Sequence, residues 1–415
     1  MGGIGRAVVA DVRPLRGSPE YRRLWFGTTV SELGQQMTTL AVAVQVYAVT
    51  GSNFAVGTVG LFSFVPLAAF GLCGGAIADA VDRRRLALAT SGGLAALSVV
   101  LAAQAYLHLR NVWLLYAVVA LQSGLFAMDN PARNAIIPRL LPAAQLPAAN
   151  ALATVSWNFG LTVGPLLAGL IIGGYGFPLV YTADVATFTA ALYAIWRLPP
   201  MAPLGDQVTR AGLTSVLEGL RFLRTRPNVL MTFLVDIDAM VFGMPRALFP
   251  AVAGSFYSGG SRTAGVLAAA PAVGALGGAL FSGWLSRVRR QGRAVLVAVV
   301  AWGVAVAGFG FSRALWLGVL LLAAAGCADM ISAVFRNTIL QVATPDALRG
   351  RLQGVFIVVV AGGPRLGDFE AGTVAALSTE TVAIVSGGLA CVAGVALLAA
   401  HWPDFARYDA RDPAP

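Results

Sequence analysis

Charge is what this sequence has least of. Only 12% of its 415 residues are charged while 57% are hydrophobic, roughly half the charged share of an ordinary soluble domain. That balance excludes a water-soluble globule. Lysine is missing altogether, all 29 basic residues being arginine, a bias that reads as coding composition before chemistry. Histidine occurs twice, at His108 and His401, and cysteine three times, at Cys73, Cys327 and Cys391, each cysteine inside an apolar run and none in a CxxC pair. These scarcities argue against a metal centre, a disulfide framework and a His-activated nucleophile, and no metal or other cofactor is expected. A phosphate-cradling GxxxxGK(S/T) loop is also missing, so any driven process has to draw on an ion gradient or a separate partner. The net charge of +10 is spread as small arginine groups between apolar runs, which argues against nucleic acid as a partner.

What the sequence has in quantity is long apolar runs, over approximately 24–49, 54–79, 86–107, 112–132, 147–173, 177–196, 229–252, 263–286, 294–312, 314–338, 352–377 and 381–402. Each is close to the roughly 20 residues that cross a hydrocarbon layer as a helix. Only helices and closed barrels satisfy their own backbone groups there. The expectation is an all-α membrane protein of twelve transmembrane helices, multi-pass in the inner (plasma) membrane and surrounded by lipid. The segment 1–23 carries Arg6, Arg13, Arg16, Arg22 and Arg23, with no small-residue cleavage site after a short apolar region, so no removable signal peptide is expected. Alternate loops share most of the arginines, whereas the opposite loops hold only Arg110, Arg262 and Arg313. Positive residues in short loops stay cytoplasmic, which places both termini, including the tail 403–415, in the cytoplasm.

The longest polar interruption, 197–228, divides the chain into two six-helix bundles, 24–196 and 229–402. Within it Leu213, Val216, Leu217, Leu220, Phe222 and Leu223 recur at near-helical spacing opposite Glu218, Arg221 and Arg224, the pattern of an amphipathic helix on the membrane surface. The halves also repeat in sequence. Pro131-Ala132-Arg133-Asn134 after the fourth span, followed by Pro142, aligns with Val334-Phe335-Arg336-Asn337 after the tenth, followed by Pro345. Gly75-Ala76-Ile77-Ala78-Asp79 with Arg83, Arg84 and Arg85 aligns likewise with Gly283-Trp284-Leu285-Ser286-Arg287 with Arg289 and Arg290. Symmetry-related bundles of this kind are a recurring construction of secondary transporters.

From Tyr21 to His401 these residues resemble the major facilitator superfamily. Gly75 to Arg85 looks like its signature loop between helices two and three, and the resemblance implies a conformational-gating role for Gly75, Asp79 and Arg83. Ala80 and Asp82 depart from the usual arginine and glycine, which suggests a loop rewired through Asp82 and Arg83. Asn130-Pro-Ala-Arg133, Leu146-Pro-Ala-Ala-Asn150, Glu218-Gly-Leu-Arg-Phe-Leu-Arg224 and Pro364-Arg-Leu-Gly-Asp-Phe-Glu-Ala-Gly372 are similar to the enterobactin-exporter branch, which also resembles the macrolide-efflux proteins. That likeness implies export of a siderophore or a hydrophobic drug. Gly160, Gly164, Pro165 and Gly169 resemble a glycine-proline pattern of exporters. Read physically, they are helix-packing residues that let two helices touch while Pro165 seeds a bend. Drug antiporters commonly carry an arginine midway along helix four, where this chain has Ala120 to Met128 without one.

An ionised side chain at bilayer depth costs several kcal/mol unless paired or hydrated, so the few intramembrane charges are the candidates for substrate contact and proton coupling. Glu32 and Gln36 share a face of the first span at i,i+4. Asp129 and Arg133 read as a local ion pair beside any substrate role. Asp184 follows Tyr181, whose hydroxyl is placed to satisfy it. Asp236 and Asp238, two residues apart, point to different sides of their helix, and Arg246 lies beyond them as a possible anchor for an anionic group. Arg365 and Asp368 are spaced to neutralise each other at i,i+3, leaving Glu370 free. Asp329 has no evident partner in its own stretch, so one is expected across the bundle. Trp25, Phe62, Phe64, Trp157, Phe159 and Trp302 are candidates for stacking on an aromatic cargo, with packing as the plainer reading. The expected activity is a proton-coupled antiporter, a monomer with a small-molecule substrate, alternating access between its halves. Its rivals are an importer of a small polar nutrient, a membrane-embedded enzyme and a ligand sensor.

Overall fold

Short polar hinges start and stop the helices. Ser18, Ser52, Asp82, Asn111 and Thr379 each stand just before a helix and accept a hydrogen bond from a backbone N–H of its first turn, satisfying groups the helix itself leaves open. Gly51 ends the first long helix at φ 62°, a left-handed conformation that glycine takes without a Cβ clash.

The computed structural model describes residues 11–201, 221–343 and 346–409, and of 72–80 and 346–358 it describes the backbone alone. A short helix α1 (Arg13–Gly17) precedes α2 (Pro19–Thr50), α3 (Asn53–Ala80), α4 (Arg83–Tyr106), α5 (Val112–Leu140), α6 (Leu146–Tyr175) and α7 (Phe177–Trp196). After the connection come α8 (Pro227–Phe242), a 3-10 turn at Arg246–Leu248, α9 (Phe249–Ser255), α10 (Ser261–Leu280), α11 (Gln291–Phe311), α12 (Leu315–Ala343), α13 (Asp346–Leu377) and α14 (Glu380–His401). Among the described residues, ten helical segments are long and apolar enough to cross a membrane. The two 32-residue helices α2 and α13, which carry Glu32 and the Arg365–Glu370 charges, fall outside that set. The amphipathic stretch expected from Leu213 to Leu220 lies outside the described residues. Beyond it residues 221–225 are helical, and Leu223 is buried against Val229 and Phe233.

Each half has its own core. In the first, α2 packs on α6 and α7, and α4 on α5 and α7; in the second, α11 packs on α12 and α14, and α13 on α8. Val42, Val46, Leu101 and Tyr181 are buried in one, Phe249, Trp302, Phe309 and Leu322 in the other. The halves meet along α3 against α13 and α6 against α10. A Cβ on Gly57 would lie 2.7 Å from the Asp368 carbonyl oxygen and 3.0 Å from Gly372 Cα, and one on Gly169 would lie 2.6 Å from the Ser261 carbonyl oxygen. Small residues are what let these backbones touch. Ser261 Oγ donates to the Gly169 carbonyl at 3.2 Å, and Asn53 Nδ2 donates to Glu380 Oε1 at 2.8 Å. All these contacts sit at the end of the bundle whose loops are poor in arginine. That end is sealed by the two halves together.

At the other end Asp82 ties the first half together. Its carboxylate accepts from Arg85 N and Met201 N, both at 2.9 Å, while Arg84 donates to the Ile195 and Trp196 carbonyls at the end of α7. Burial opposes the Asp82 charge, but the N–H donors outweigh it and hold the carboxyl below its usual range.

Gly57→Val forces α3 off α13 and should lower stability by about 1–3 kcal/mol. Gly92→Ala, where nothing lies within 4 Å of the new Cβ, should be neutral or stabilise by up to about 1 kcal/mol; equal melting shifts in detergent would contradict this packing. Asp82→Ala should cost about 1 kcal/mol as a lost cap. Because the folded carboxyl titrates below the unfolded one, that difference is fully present above about pH 4 and shrinks as the pH falls below it, which melting against pH will show.

Candidate functional site

Arginines 133 and 336 organise the two halves. Arg133, on α5, donates from Nε to Asp129 Oδ2 at 2.5 Å, from one terminal nitrogen to Thr28 Oγ1 of α2 at 3.0 Å and from the other to Ser91 Oγ of α4 at 2.9 Å. Asp129 also accepts from Thr90 Oγ1 at 2.6 Å. One guanidinium therefore joins three helices, and its charge is neutralised inside the bundle. Arg336, at the aligned position on α12, pairs with Asp236 of α8 and, at 3.3 Å, with Asp329. Asp329 thus has its partner on its own helix, two turns along, and not across the bundle as expected. An i,i+7 pair closes because a long guanidinium reaches past one turn.

A cavity of about 90 Å3 lies beside Arg133, between α2, α5 and α6. Tyr21, Trp25 and Phe126 give it apolar faces, and Glu32, Asn130 and Arg133 bring polar groups to it. Trp25 is oriented by donating to the Leu152 carbonyl at 3.1 Å. The lining comes from the beginnings of α2 and α6 and the last half of α5, the arginine-rich end opposite the seal. Among the described residues Glu32 makes no hydrogen bond or ion pair, and its Oε2 is fully buried. Gly160 and Gly164 of α6 press on this wall, since a Cβ on Gly164 would come within 2.6 Å of Gln36 Cβ. These two glycines thus pack within the first half. Gly169, with the Pro165 carbonyl beside Gly265, belongs to the contact between halves.

The other charges sort by partner. Asp184 is fully buried and accepts from Thr38 Oγ1 at 2.8 Å and Ser98 Oγ at 2.7 Å. Tyr181 does not serve it; its hydroxyl donates instead to Gln45 Oε1 at 2.6 Å, because a tyrosine ring three residues back reaches beyond its own turn. Asp236 and Asp238 turn to different helices, as their spacing requires: Asp238 lies against Cys391 and Gly394 of α14, with Oδ2 unpartnered. The expected Arg365–Asp368 pair is replaced. Asp368 faces Arg246 at 3.5 Å and accepts from Ala247 N at 3.1 Å, while Arg365 donates to the Ala361 carbonyl. The 3-10 turn after α8 brings Arg246 to α13, where it faces this carboxylate. Glu370 makes no hydrogen bond or ion pair among the described residues. Gly75 and Asp79 fall in the part of α3 described by backbone alone, and Arg83 donates to the Ala135 carbonyl of α5 at 3.1 Å.

Of the aromatic candidates only Trp25 lines the cavity. Trp302 is core and donates to the Gly243 carbonyl at 3.0 Å, Phe62 stacks on Tyr116, Phe64 packs near Gly362, and Trp157 and Phe159 are exposed on the bundle's flank. Thr28, Ser91 and Arg336 escaped the sequence reading, though the aligned Arg-Asn pairs of the two halves were the signal that could have found Arg336. Breaking its pair gives a test. Asp236→Asn leaves a buried guanidinium short of charge and should cost about 3–5 kcal/mol. The triple variant Asp236→Asn, Arg336→Gln, Asp329→Asn, which leaves no charge of the cluster unpaired, should recover most of that loss in melting temperature; no recovery would deny the pairing.

Comparison with known proteins agrees with this architecture. Residues 10–414 match the transmembrane secretion effector family. The chain is 28% identical over 390 residues to the enterobactin exporter EntS of Citrobacter koseri, 92% of each chain being covered. The same identity and coverage hold for the enterobactin exporters EntS of Shigella boydii serotype 18 and Escherichia coli O81. Solved structures share the fold at lower identity. A mutant of the nucleoside transporter NupG superposes with a TM-score of 0.74 at 14% identity, covering 92% of this chain and 100% of that one. A mutant of the peptide transporter POT reaches 0.75 at 12%, covering 94% and 95%. The protein is thus a multi-pass transporter of the inner membrane and no enzyme, and it belongs to the transmembrane secretion effector family of the major facilitator superfamily.

Proposed function

We propose that this transporter exports a siderophore or a hydrophobic drug-like small molecule by alternating access, in exchange for protons, as a monomer of twelve crossing helices with both termini in the cytoplasm. The observation that carries this reading is the polarity of the bundle. A cavity lined by the uncommitted Glu32 lies at the arginine-rich end, the end expected to face the cytoplasm, while small residues close the opposite end. A cargo loaded from the cytoplasm then leaves when the seal along α3–α13 and α6–α10 parts. The likeness to enterobactin exporters favours the outward direction. Helices α2 and α13 complete the twelve: at 32 residues each they span about 48 Å at 1.5 Å per residue, ample for a bilayer.

Protons need carboxylates that are not already committed. Asp129 and Asp368 are held by arginines and Asp184 by hydroxyls, whereas Glu32 and Glu370 make no such bond. These two are the proton carriers of the proposal, with Asp236 joining when its pair with Arg336 opens. In inverted membrane vesicles with an acidic interior, the wild type should accumulate enterobactin or a macrolide, and a protonophore should abolish that accumulation. Glu370→Gln should slow gradient-driven uptake by about tenfold or more, about 1.4 kcal/mol per factor of ten. Uptake that ignores the gradient, or survives Glu370→Gln unchanged, would overturn the coupling.

A further inference from the structure

The charges around the cavity do not cancel, and the surplus has one address. Arg133 spends three donors on Asp129, Thr28 and Ser91. The hydroxyls are committed too: Ser156 Oγ is hydrogen-bonded to Thr29 Oγ1 at 2.7 Å, and Ser31 donates to the Thr28 carbonyl. Asn134 donates to Asn130 at 2.9 Å. Among the charged groups at the wall, the one left over is Glu32, a carboxylate with a buried oxygen and no hydrogen-bond partner among the described residues, beside the neutral amide of Gln35. The second half shows that this arrangement is particular to the first. On α8, the repeat counterpart of α2, Asp236 reaches the aligned arginine directly. In the first half Asp129 occupies Arg133, and Glu32 is left over.

A buried, unpaired carboxylate is costly, and an arriving hydrogen-bond donor relieves that cost. We infer that the cavity takes its cargo by hydrogen-bond donors presented to the Glu32 carboxylate between the faces of Tyr21, Trp25 and Phe126. The ligand is therefore a neutral phenol-bearing molecule or an aromatic cation, and not an anion. An anion would have to displace Asp129 from Arg133 and would meet Glu32 as a like charge. A catecholate ligand is accordingly carried with its hydroxyls protonated, and its multiply anionic metal complex is rejected. The inference rests on the export reading for its place in a transport cycle, but its site can be tested by equilibrium binding alone.

The test is calorimetric titration of the purified protein at pH 7 with ethidium, with a catechol amide and with the matching catechol carboxylate. The amide and ethidium should bind, the carboxylate at least about tenfold more weakly. Glu32→Gln should weaken the donor-bearing ligands by about tenfold or more, Glu32→Asp by much less, and Asp404→Asn, in the exposed pair with Arg407, not at all. Loss confined to ethidium assigns the site to cations, and loss confined to the amide assigns it to phenols. Equal binding of the carboxylate, an unaffected Glu32→Gln protein with unchanged melting, or no binding by the wild type overturns the inference. Intact binding without gradient-driven flux in vesicles would instead overturn the export reading and leave the site standing.

Discussion

An arginine placed inside a membrane bundle has to be paired there, and the architecture of both halves answers to that requirement. The cost of an isolated charge at helix centre is about 2.5–3.5 kcal/mol on insertion scales. Arg133 meets it by drawing a carboxylate from its own helix and hydroxyls from two others, and Arg336 by bridging Asp236 and Asp329. Each guanidinium is thereby a fixed crosslink among helices, beside interhelical hydrogen bonds such as Tyr181 to Gln45 and Asn53 to Glu380.

Once the arginines are satisfied, the remaining carboxylates acquire distinct characters. Asp184 is a structural acceptor, wrapped by Thr38 and Ser98 among α2, α4 and α7. Asp368 binds the broken region after α8 to α13, next to the contact with Gly57. Glu32 and Glu370 are left without a hydrogen bond or ion pair among the described residues. A carboxylate thus serves as crosslink, latch or open acceptor according to which donors stand within hydrogen-bonding reach of it.

Much of this was legible beforehand. Most apolar runs located their helices, since a 20-residue oily stretch has few other solutions, but α5 continues past its run to Leu140 and the run 229–252 is broken between Phe242 and Arg246; Asp129–Arg133 is readable because i,i+4 neighbours on one helix must meet. Spacing along a helix suggests Tyr181–Asp184 and Arg365–Asp368, yet both aspartates turn to other segments; Asp329 is the reverse case, pairing two turns away on its own helix. Long side chains choose among all neighbours within reach, and those on other helices are invisible to a one-dimensional count.

The sequence by itself determined the solvent, the number of apolar runs, the division into two related halves and the short list of charges that could matter, because hydrophobic length and charge scarcity are properties of the chain alone. Only the tertiary structure decided which end is sealed, which glycines lie between halves and which within one, and which carboxylate was left unpaired. Those outcomes depend on helix rotation and on distances of a few ångströms between residues more than a hundred positions apart, where a single hydroxyl or guanidinium settles whether a charge is satisfied.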